Sequence, residues 1–129
     1  MKLRTALLSI LIISASFIAN TQSVAKPILE DEDRNKELDH VLDNLLKDLK
    51  DTEIRLRKAM EDKKDRESAR QQCRKLNIFE ELIAFTKKNQ QLDRSEKYGA
   101  AAEYMLEKEY TQMRKESVTK EMLCDFSSK

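Results

Sequence analysis

The apolar residues of this chain fall into four sets with different spacing. The first is a near-continuous run, Leu7 to Ile18, preceded by Lys2 and Arg4 and followed by the small residues Ser23, Val24 and Ala25. A basic start, a short apolar centre and a small-residue end predict a secretory signal peptide over residues 1–25. The run is interrupted by Ser9, Ser14 and Ser16 and falls short of the roughly 20 residues a membrane span needs.

The second set is Leu38, Leu42, Leu45, Leu49, Thr52, Leu56 and Ala59, whose spacing alternates four and three. That is one face of an α-helix. Val41, Leu46 and Met60 widen the face, and a wide face fits a bundle better than a narrow two-stranded coiled coil. Residues 61–68, EDKKDRES, carry no apolar side chain and no helix breaker. A continuous helix is the favoured reading there, with Asp65 and Ser68 as caps if a second helix starts instead.

The third set, Ala69, Cys73, Leu76, Phe79, Leu82 and Ile83, is out of phase with the second. The fourth runs from Ala101 through Met105, Leu106, Tyr110, Met113 and Val118 to Met122 and Leu123, with Ser117 and Thr119 as candidate interruptions. Between them, Asp93 and Glu96 have the spacing of a capping box. Gly99 is the one residue that enters a left-handed cap without steric penalty.

Composition makes the class firm. The chain holds one Gly, one Pro and no Trp, and 38% of it is charged. Too few turn residues are present for a β fold, and Lys, Glu, Leu, Arg and Ala favour helix. The predicted fold is all-α, an antiparallel helical hairpin or small three-helix bundle occupying residues 26–129 as one domain.

Cys73 and Cys124 are the only cysteines. In a chain bound for an oxidising compartment they predict one disulfide; pairing between two copies is the alternative. In an antiparallel helix pair, facing residues have a constant sum of numbers. Pairing 73 with 124 then places the turn at Tyr98–Gly99. A turn at Asp93 would carry Cys124 about 16 Å too far along, unless the C-terminal segment folded back.

Charge excludes several functions. Loss of residues 1–25 removes Lys2 and Arg4 and no acid, turning a net charge of +1 into about −1. A nucleic-acid binder would show a basic excess or stripe, so no nucleic-acid partner is expected, and stable membrane association is not expected either. His40 is the only histidine, and Glu37 precedes it by three. A helical di-metal site needs two such Glu-x-x-His motifs and further carboxylates; with one motif, His40 reads as a solvated surface residue. No metal, cofactor or catalytic residue is assigned, and enzymatic activity is not expected.

The remaining expectation is export, to the extracellular space or, in a bacterium, the periplasm. The function expected is non-enzymatic binding of a protein partner, or self-association, through the leucine stripe Leu38, Leu42, Leu45, Leu49 and Leu56. Such a stripe left uncovered is a sticky patch. Met105, Met113 and Met122 are core or an adaptable groove. Three other classes compete: a lipid-binding amphipathic protein, a prohormone cut at pairs such as Lys63-Lys64, and a periplasmic chaperone-like binder.

Overall fold

The computed structural model describes the backbone from Lys2 to Lys129 and side chains from Asp31 onward. Residues 1–25, over which a signal peptide is expected, lie outside the residues whose side chains are described. Four helices follow in order, with no strand among the described residues: α1 Lys2–Glu61, α2 Asp65–Lys88, α3 Ser95–Lys115 and α4 Lys120–Ser128. The chain divides into two compact units, Met1–Glu37 and Leu38–Lys129. The helical bundle is the second of these.

Its core forms where the leucine face of α1 meets α2 and α3. Leu42 is fully buried with Ile78, Phe79, Leu82 and Ala102. Leu45, Leu46 and Leu49 pack onto this cluster from α1, Ile83 and Phe85 from α2, and Tyr98, Met105 and Leu106 from α3. The leucine stripe therefore folds onto its own chain as a third helix. Asp43 pairs across with Arg94 at 2.6 Å, and Asp48 with Arg74 at 3.1 Å.

The continuous helix expected over residues 61–68 is not what the chain adopts. α1 stops at Glu61. The amide of Lys64 donates to the carbonyl of Ala59 at 2.9 Å, and that of Lys63 to Met60 at 3.2 Å. Lys63 has φ 54°. This pair of bonds around a left-handed residue is the Schellman ending of a helix. α3 ends the same way: Val118 donates to Met113 at 2.9 Å, Ser117 to Arg114 at 3.1 Å, and Ser117 has φ 58°. In both places the left-handed position, usually glycine, holds a side chain that disfavours it. Lys63→Gly and Ser117→Gly are each expected to stabilise the chain by about 1 kcal/mol, read as a higher denaturant midpoint at unchanged slope.

Gly99 does not mark the turn between α2 and α3 either. That turn lies at residues 89–94, and Gly99 sits inside α3. Asn89 ends α2 by donating through its side chain to the Phe85 carbonyl at 2.8 Å, and the Ser95 hydroxyl donates back to the Asn89 carbonyl at 2.7 Å. The Asp93/Glu96 box is not used: α3 starts at Ser95, and no side chain caps it. Gly99 serves close approach instead. A Cβ there would stand 2.5 Å from the Thr86 hydroxyl oxygen. That hydroxyl is held by bonds to the carbonyls of Leu82 at 2.8 Å and Ile83 at 3.1 Å.

Thr119 caps the last helix, its hydroxyl accepting from the Met122 amide at 3.1 Å. α4 turns back onto α2, and Cys124 bonds Cys73 with 5.3 Å between their Cα atoms. The disulfide is thus within one chain, but the register inferred from it is displaced. Thr86 faces Gly99, Lys87 pairs with Glu103 and Lys75 with Glu109, a register centred near residues 92–95. The C-terminal fold-back is what lets both facts hold together.

Candidate functional site

At the end of the bundle away from the Asn89 turn, three helices each offer an i,i+4 pair on one face. These are Leu56 and Met60 on α1, Ser68 and Gln72 on α2, and Met122 and Phe126 on α4. Ala69, Val118 and Leu123 complete an apolar groove of about 830 Å³. Asp65 and Glu116 stand in its lining. Met60 is 63% exposed, Met122 55% and Phe126 47%. Large apolar side chains this exposed are ordinary when scattered; three lining one groove mark a patch that water covers poorly.

The groove is assembled by α4, a helix of nine residues. The Cys73–Cys124 bond ties it to α2. Lys120 donates to Glu80 at 2.7 Å. Arg70 donates to the Ser127 carbonyl at 3.5 Å, a cation at a helix C-terminus. Glu80 also accepts from the Tyr110 hydroxyl at 2.7 Å, so one carboxylate joins α2, α3 and α4.

That arrangement sets the titration of its members. The bonds from Lys120 and then Tyr110 hold the Glu80 carboxyl below its usual value of 4.5. Burial, and then the bond to Glu80, pushes the Tyr110 hydroxyl up to about 12. At Glu109 burial pushes the carboxyl upward, but the bonds from Lys75 at 2.7 Å and Gln72 at 2.7 Å outweigh it and the net direction is down. A carboxyl depressed by folding stabilises the fold above its unfolded value and loses that contribution as pH falls through the lower folded value. Stability is therefore expected to fall as pH drops below about 4.5. Glu80→Gln should flatten this acid limb in denaturant titrations at stepped pH.

The residues singled out from the sequence are distributed unevenly. Of the five stripe leucines, Leu42 is fully buried, Leu38, Leu45 and Leu49 are half-buried, and only Leu56 lines the groove. Met113 is buried, Met105 packs on the core, and Met122 is in the groove. His40 and Glu37 are exposed. No cluster of three or more His, Cys, Asp or Glu that could hold a metal occurs among the described residues, and no helix of theirs is long and apolar enough to cross a membrane. Phe126 and the α2 side of the groove were not legible as a site. The available signal was the Thr119 cap followed by Met122 and Phe126 four apart.

Compared with protein-family models, curated proteins and solved structures, the chain matches none of them.

Proposed function

We propose that this chain is an exported, non-enzymatic binding protein. It holds an apolar helical segment of a partner protein in the groove between α1, α2 and α4. The observation that carries this reading is the exposure of Met60, Met122 and Phe126 in one lined concavity. Methionine adapts its shape to different apolar partners, and a helix laid in a groove is read through side chains three and four apart. The N-terminal pattern of residues 1–25 and the Cys73–Cys124 bond support export to an oxidising compartment.

The occupant is a foreign segment carrying basic residues beside its apolar face. Among the described residues, Asp65 and Glu116 are the only ionisable ones lining the groove. Among the described residues neither forms an ion pair, although Gln112 donates to Glu116 at 2.7 Å. A second copy docking through the same groove about a two-fold axis would bring both copies' Asp65 and Glu116 into one interface with no basic partner from the groove lining, and like charge opposes association.

The test uses a fluorescently labelled amphipathic peptide, with leucines at i, i+3, i+4 and i+7 and lysines between them. Fluorescence anisotropy with Lys26–Lys129 should show saturable binding. Phe126→Asp and Met122→Asp should each weaken it by about tenfold or more, while Tyr104→Ala, exposed and outside the groove, should leave it unchanged. A glutamate-for-lysine peptide should bind more weakly. Equal affinity of wild type and Phe126→Asp, with helicity intact by circular dichroism, would remove the reading. Co-sedimentation with anionic phospholipid vesicles that Phe126→Asp abolishes would transfer the groove to a lipid surface.

A further inference from the structure

The wall of the groove is held by a bond that chemistry can open. We infer that the Cys73–Cys124 disulfide is a redox latch, and that the groove holds its apolar ligand only while the latch is closed. This rests on the groove being a binding site.

Three observations lead there. First, α4 and the turn before it supply Glu116, Val118, Met122, Leu123 and Phe126, nearly half of the groove's lining. Second, α4 has nine residues, and isolated helices shorter than about 12–15 residues are marginal in water. Among the described residues its other polar ties to the rest of the bundle are one ion pair, Lys120–Glu80, part-exposed on both sides, and the long Arg70–Ser127 bond. Third, the core cluster of Leu42, Ile78, Phe79, Leu82 and Ala102, with everything packed against it, contains no residue of α4. The part of the molecule that the sulfur bond holds is thus the part that shapes the groove, and the core stands apart from it. Cys73 and Cys124 are both half-buried, and neither belongs to the core cluster.

The chemistry is thiol–disulfide exchange with a dithiol reductant. One thiolate attacks Cys73 or Cys124, breaking the S–S bond and forming a mixed disulfide. The second thiol of the reductant displaces the protein sulfur. Two electrons and two protons end on the two cysteines, and the dithiol leaves as a disulfide. α4 then exchanges between docked and released states, and apparent affinity falls with the docked fraction. By reciprocity, a bound ligand makes the disulfide harder to reduce.

The test compares oxidised and dithiothreitol-reduced Lys26–Lys129 by amide hydrogen exchange and by binding of the lysine-bearing peptide. The expected result is a much larger loss of protection over residues 120–128 than around Leu42 and Phe79–Leu82. Peptide affinity should fall about tenfold or more on reduction and return on reoxidation. Cys73→Ser/Cys124→Ser should behave as the reduced chain whatever the reductant. Unchanged exchange in α4 after reduction overturns the latch, as does an equal loss of protection throughout the bundle. Equal peptide affinity of the two redox forms overturns it while leaving the groove in place. If neither form binds the peptide, the groove reading fails; exchange then still reports whether α4 is released.

Discussion

Leu42→Ala is expected to lower the stability of the bundle by about 3 kcal/mol, in the range found for leucines whose cavity only partly collapses. Leu42 is 0% exposed and is surrounded by Ile78, Phe79 and Leu82 of α2 and Ala102 of α3. Three helices meet on its side chain, so no single one can shift to fill the space. Its neighbour Val41 is 43% exposed, and Val41→Ala should change stability by about 0.5 kcal/mol or less. Urea unfolding of the two variants makes the comparison, at unchanged slope. Equal, small losses would mean that α1 stands off α2 and α3, leaving its leucines for a partner after all.

Cys73→Ser/Cys124→Ser is expected to cost about 4 kcal/mol at most, the chain-entropy value for a crosslink of this loop length. The two cysteines are 51 residues apart in sequence, so the unfolded chain loses much freedom when they are joined. A small domain has about 5–15 kcal/mol in total, which makes this bond a large fraction of the whole. Release of α4 alone in the double variant gives back part of the loss, because the remaining helices no longer have to order it. The signature is a loss below the ceiling together with a smaller denaturant slope, since less surface remains to be exposed on unfolding. No measurable loss against the oxidised wild type would show that the bond contributes little to the fold.

The sequence disclosed the helices because the apolar spacing of each set, and the scarcity of turn residues, left no competing class. It disclosed the disulfide because two cysteines in one chain admit one internal pairing. The register failed for a specific reason. Equal sums of residue numbers hold between two straight antiparallel rods, and Cys124 stands on a third piece that doubles back at Ser117. That reversal, like the one at Lys63, is made by a residue that ordinarily avoids positive φ, so the usual glycine signal is missing from both. The one glycine that is present answers a different need, the approach of α3 to Thr86. Nor can a periodic apolar face say whether it will meet its own chain or another. Only the fold shows that Leu42 is covered while Met60, Met122 and Phe126 are not.

The fold-back also has a practical consequence for anyone handling this molecule. Arg70 holds the carbonyl of Ser127, so Lys129 emerges beside the start of α2 and three residues from Phe126. A purification handle or fluorescent fusion appended there would be tethered beside the groove that Phe126 lines and would shield its exposed apolar side chains.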